Sequence, residues 1–158
     1  MISVASFFPS RAIRLSRSEV ERCVRFVCSK EKRKSGSVIA VFTDDTYIHG
    51  INKTHLAHDC PTDVISFTLE ESPLEAEIYV NLQQARRQAG EYDVSPLNEA
   101  TRLLVHGVLH SLGYDDRTAA AKAMTRARDG IFITRIIARL PKTRNTHTCV
   151  ERVTAQRV

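Results

Sequence analysis

Tryptophan is absent from the 158-residue chain, aromatic residues make up 6% of it, and there are only six glycines, five prolines and four cysteines. Cys23, Cys28, Cys60 and Cys149 are too sparse for a disulfide scaffold and form no Cys-x-x-Cys pair, so they read as reduced thiols in a cytosol. No apolar run approaches the roughly 18 residues that a membrane span needs. The first residues lack a basic segment followed by an apolar one, which argues against a secretory leader. What is present suits one soluble domain with 42% hydrophobic and 26% charged residues. A chain of this length buries roughly 68–70% of its unfolded surface, enough for a core that needs no metal staple. A bound metal would therefore serve chemistry.

The formal net charge of +5 is unevenly spread. Residues 11–34 carry 9 Lys/Arg and 3 acids, residues 35–121 carry 5 and 13, and residues 122–158 carry 9 and 2. Two basic ends flank an acidic middle. The ends either converge on one face that meets a polyanion or simply dress helices in solvated charge.

Local patterns predict a chain of nine elements. Ile2–Phe8 reads as a strand. Ser18-x-x-Glu21 has capping-box spacing before a helix over about 17–32. Val38–Phe42 is a β-branched run suited to a buried strand. Asp44 or Asp45 can cap a short helix to about Ala57, and His58–Thr62 reads as a loop ahead of strands at Val64–Thr68 and Ile78–Val80. Asn81 opens a helix to about Gly90. Ser95-Pro96 opens another that runs to Gly113, with serine as cap and proline at the first helical position. A last helix covers about 118–138. Residues 1–140 are expected to form a single domain, and 141–158 a mobile basic tail.

The stretch His106-Gly107-Val108-Leu109-His110-Ser111-Leu112-Gly113-Tyr114-Asp115-Asp116 is the most informative. Histidines four apart lie one above the other on a helix and can turn their imidazoles to one ion. Gly113 can end the helix in a left-handed conformation and return the chain, bringing a carboxylate up as third ligand. Spacing favours Asp116 over Asp115, whose alternative role is to cap the next helix. Two imidazoles and one carboxylate leave a position open for water, as in catalytic zinc sites. The spacing also follows the zincin pattern His-Glu-x-x-His-x-x-Gly-x-x-His, except that Gly107 stands where the general-base glutamate would be.

These residues resemble the YbeY family of bacterial metal-dependent endoribonucleases, whose hallmark is His-Gly-x-Leu-His-Leu-x-Gly-Tyr-Asp-His. Ser111 replaces the second leucine and Asp116 the last histidine. The resemblance continues upstream through Ile51-Asn52, Asp59 and Pro61-Thr62-Asp63-Val64-Ile65-Ser66-Phe67 to Glu77-Ile78, covering roughly residues 38–136. It implies an α/β (α+β) fold: a small mixed four-stranded sheet packed by about five helices, with the metal between the long zincin-like helix and the following turn. It also implies one zinc ion on His106, His110 and Asp116, with other divalent metals acceptable to the same ligands. The implied partners are ribosomal RNA and the small ribosomal subunit, in the cytoplasm, with no membrane and no organic cofactor. The implied activity is single-strand-specific cleavage in 16S rRNA 3′-end maturation and ribosome quality control.

The family commonly has an arginine five residues before Pro61; here that position is Leu56. Arg102, four residues before His106, is a candidate to take part of that role by steadying a phosphate oxygen, unless it is spent on Glu99. His55 and His58 stay outside the metal set, and Asp63 is either an acceptor behind the ligands or a strand cap. A zincin-like peptidase and a non-catalytic ribosome-associated factor with a structural metal are the competing functions. No aromatic stacking platform or RNA-recognition signature is visible, so substrate sequence is not legible.

Overall fold

The computed structural model describes residues 1–138; the tail expected over residues 141–158 lies outside the described residues. In chain order the elements are β1 (Ile2–Phe7), α1 (Arg17–Lys30), β2 (Gly36–Thr43), α2 (Asp45–Leu56), β3 (Val64–Glu71), β4 (Leu74–Asn81), α3 (Leu82–Glu91), α4 (Pro96–Ser111) and α5 (Ala119–Ile137). The four strands form one mixed sheet in the order β1-β2-β4-β3, so the expected architecture is present. β2 pairs in parallel with β1 and β4, while β3 is an antiparallel edge strand on β4.

The capping box lies one pair earlier than the sequence predicts. Ser16, not Ser18, has extended backbone and receives the Glu19 N–H, while the Glu19 carboxylate returns to the Ser16 N–H at 2.8 Å. Both serines have a glutamate three residues on, and only the backbone decides between them; the Ser18 hydroxyl instead lies 3.1 Å from that of Ser16. The β3–β4 hairpin is also longer than expected. β3 continues through Glu71 and β4 starts at Leu74, because an edge ladder needs backbone pairing rather than apolar side chains, and Leu69, Glu70 and Glu71 are exposed. Asp44, Asn81, Ser95 and Thr118 cap their helices.

Gly36 opens β2 between two parallel neighbours, paired with Ile2 on one side and Leu74 on the other. Its φ is +142°, and a Cβ there would collide with the Leu74 carbonyl oxygen, so glycine is required.

α4 is the hub of the core. It packs on β3 and β4 and is flanked by α1, α3 and α5. Leu103, Leu104, Val105, Val108 and Leu109 are all buried. At roughly 1.5–3 kcal/mol for each buried large aliphatic side chain, that helix anchors the domain. Cys23 and Cys28 belong to the same core, and burial pushes their thiols up to about 12 and about 11. They are packing residues.

Candidate metal centre

From Glu99 to Ser111, every residue of α4 is buried except Arg102, His106 and His110. These recur every four residues, so a helix buried on nearly all sides keeps one narrow stripe at the surface, and both metal-ligand candidates lie on it. The stripe needs a third ligand from beyond the helix, and the chain supplies it through a pinned turn. Gly113 adopts φ +95°. Its N–H bonds to the His110 carbonyl at 3.0 Å, and the Tyr114 N–H bonds to the Leu109 carbonyl at 3.1 Å. The Tyr114 hydroxyl then lies 3.1 Å from Glu31, and the Thr125 hydroxyl donates to the Asp115 carbonyl at 3.0 Å, tying the turn to α1 and α5. Asp115 does not cap α5, a role that falls to Thr118; its carboxylate accepts the Arg117 N–H.

Asp116 completes the group, with one ligand atom from each of His106, His110 and Asp116 lying within 4.8 Å of the others. His106 Nε2 is 2.9 Å from His110 Nε2, and each is 3.6 Å from Asp116 Oδ2. A tetrahedral ion with bonds of about 2.0–2.2 Å needs ligand atoms about 3.3 Å apart, which this triangle brackets. The donor chemistry fits as well. His106 Nδ1 lies 2.8 Å from Asp129 Oδ2. A carboxylate only accepts, so Nδ1 carries the proton and, in the neutral ring, Nε2 presents its lone pair to the group. Burial and the adjacent His106 hold His110 below its ordinary pKa, which favours the neutral, metal-binding form.

Asp129 is the residue of the candidate site that sequence reasoning missed. It is buried on α5, with its side chain 5% exposed, and its second oxygen has no hydrogen-bond partner among the described residues. The available signal was that it is the one acid in the otherwise basic and apolar α5. A carboxylate behind a ligating imidazole fixes its tautomer and ring orientation. Asp129→Asn should therefore weaken metal binding about 10–100-fold while leaving the ligand set intact. Competition against a chelator would measure this, and unchanged affinity would mean that Asp129 only fills space.

Arg102 is gripped by Glu99. Its Nε donates to both carboxylate oxygens, at 3.0 and 3.1 Å, and Nη2 to Oε1 at 2.6 Å. Glu99 is itself 2% exposed, so this pair is built into the fold. His55 packs its ring edge-on against Phe67 and is exposed. Neither His55 nor His58 joins the metal group. Asp63 takes up the Val64 N–H, the Thr62 hydroxyl and the Gln88 amide at the entry to β3. Leu56, where the family has arginine, is an exposed residue at the end of α2.

Gly107 has a steric cause. A Cβ there would lie 2.6 Å from Ile78 Cγ2, 3.0 Å from Ser66 Oγ and 3.2 Å from Val64 Cγ2. Position 107 faces the sheet, away from the His106–His110 stripe, and the Ser66 and Ser111 hydroxyls both donate to its carbonyl.

The sequence profile of the family described as endoribonuclease YbeY matches residues 10–135. The endoribonuclease YbeY of Chloroherpeton thalassium is 37% identical over 120 residues, covering 75% of this chain and 85% of the relative. That of Salinibacter ruber is 31% identical over 146 residues, covering 86% and 92%. In fold, the chain is similar to the solution structure of TM1509 from Thermotoga maritima, with a TM-score of 0.62 at 21% identity over 87% of this chain and 90% of that one.

Proposed function

The chain belongs to the YbeY endoribonuclease family, and from that premise we propose that it is a metal-dependent, single-strand-specific endoribonuclease acting in the cytoplasm on ribosomal RNA of the small subunit, in 16S 3′-end maturation and ribosome quality control. The observation that carries the metal dependence is the convergence of His106, His110 and Asp116, with Asp129 holding the first imidazole. Zinc suits this nitrogen and oxygen set, and the carboxylate at position 116 also admits harder divalent ions.

A bound ion would supply positive charge against the negative charge that develops on a phosphate, together with a nucleophile at neutral pH. The chain's own residues do the rest. Asp129 keeps the Nδ1 proton of His106 in place, the pinned turn holds the Asp116 carboxylate, and the buried sides of α4 prevent the two histidines from drifting apart. Arg102 begins one turn before His106 on the same stripe, which supports a role in contacting the substrate phosphate while Glu99 fixes its orientation. Among the described residues no helix is long and apolar enough to cross a membrane. The peptidase reading loses its general base at Gly107, a position with no room for one.

Purified protein should cleave a single-stranded RNA carrying the 16S 3′ precursor junction and spare the same segment annealed to a complement. Chelation should abolish the cut, and stoichiometric zinc or another divalent ion should restore it. Cleavage that survives exhaustive chelation would overturn metal dependence, and equal cutting of the duplex would overturn strand specificity.

A further inference from the structure

The segment that leads into α1 and the end of α5 meet at one end of the fold. Leu15, just ahead of α1, and Val20 within it line the same small gap as Leu97 of α4 and Ile136 of α5. α1 and α4 run side by side in the same direction, since Tyr114, past the end of α4, reaches Glu31 at the end of α1. The start of α1 therefore lies beside the start of α4, and His106 is nine residues, about 13 Å of helix rise, farther along.

At that end a cavity of about 580 Å³ is lined by Arg11, Arg14 and Arg17 together with Phe8, Ser10 and Leu15. Its wall is an ordered segment. The Ser10 N–H donates to the Phe42 carbonyl at 3.1 Å, Phe8 stacks on Phe42 at 5.1 Å between ring centroids, and Ile13 is buried. All three arginines are exposed, and among the described residues none of their side chains makes an ion pair or hydrogen bond. The nearby carboxylate, Glu19, is turned back onto Ser16 by the capping box, with its oxygen 2.8 Å from the backbone nitrogen and 2.6 Å from the hydroxyl.

Three guanidinium groups around one concavity, none of them ion-paired among the described residues, repel one another, and an anion relieves that repulsion while using donor forks that match phosphate oxygens. The volume suits a nucleotide-sized group.

We propose that this cavity binds the phosphodiester backbone of single-stranded RNA at a distance from the scissile bond, so that the arginine end grips the strand while the metal end cuts it. The inference rests on the nuclease reading, and it is tested by binding alone. Full-length protein is titrated with a fluorescent, non-cleavable 2′-O-methyl oligonucleotide across a salt series. Arg11→Gln/Arg14→Gln/Arg17→Gln should bind about 10–100-fold more weakly at low salt, with the slope of log affinity against log salt reduced by about 2, given roughly 0.7 per phosphate contact on a single strand. Lys30→Gln/Lys32→Gln/Lys34→Gln, which removes equal charge at the far end of α1, should leave the slope unchanged. An equal loss in both variants, or in neither, would overturn the site, as would complete displacement of the oligonucleotide by millimolar inorganic phosphate. If wild type cuts no RNA while the arginine variant still loses affinity, the nuclease reading fails and the cavity stands. Retained affinity beside normal cleavage sinks the cavity alone.

Discussion

His110→Ala should purify without metal and lose at least about three orders of magnitude in RNA cleavage, the equivalent of about 4 kcal/mol of transition-state stabilisation. The substitution removes one of two imidazoles from a three-residue group and leaves His106 and Asp116 unable to enclose an ion. Its cost to the apo fold should be small, because the ring sits on the half-exposed stripe of α4 and its contacts are to His106 and Asp116 rather than to the core. Elemental analysis beside thermal melts would separate the two effects. A wild-type protein that carries no metal, or a His110→Ala protein that cleaves normally, would end the proposal. Metal retention should also depend on pH with a definite sign. The proton competes with the ion for His110, and the lowered pKa of that ring postpones the competition. Metal content should thus hold as the pH falls through the ordinary histidine range of about 6.5 and decline below it.

Gly107→Glu, which restores the zincin signature on paper, should abolish folding rather than create a peptidase. The new Cβ would collide with Ile78 at 2.6 Å, and the carboxylate beyond it would be driven between α4 and the sheet, where Ile78, Ser66 and Val64 line the position. Overpacking costs about 1–3 kcal/mol, and an unpaired buried carboxylate adds several more. Together these approach the roughly 5–15 kcal/mol that holds a whole domain. Gly107→Ala grades the effect. Its overpacking cost is partly offset by about 1 kcal/mol of helix propensity, leaving a net loss of about 1 kcal/mol and a melting point lower by about 2–4 °C. Soluble, folded Gly107→Glu protein that hydrolyses a peptide would show that position 107 faces the metal after all.

The candidate metal group was legible because its geometry is local. His106, His110, Gly113 and Asp116 span eleven residues, and helical periodicity with one left-handed glycine is enough to converge them. The order of strands and helices was legible for the same reason, since caps and β-branched runs act over a few residues. Where two local signals were equivalent, as with the serines at 16 and 18, the sequence could not choose between them. The length of the β3–β4 hairpin was hidden because the outer half of β3 is exposed and held by pairing across the sheet.

The sequence by itself thus determined which helix carries the candidate metal group, which side chains could ligate an ion, and that the charge is divided into two basic ends and an acidic middle. Only the tertiary structure decided what surrounds them. Asp129 meets His106 from 23 residues away because α5 packs back on α4. Gly107 is glycine because the sheet passes beneath it, not because the chemistry dispenses with a base. The lead into α1 and the end of α5 become neighbours because α1 and α5 flank the same central helix, a juxtaposition set by burial of apolar faces far apart in sequence and invisible to any count of charges along the chain.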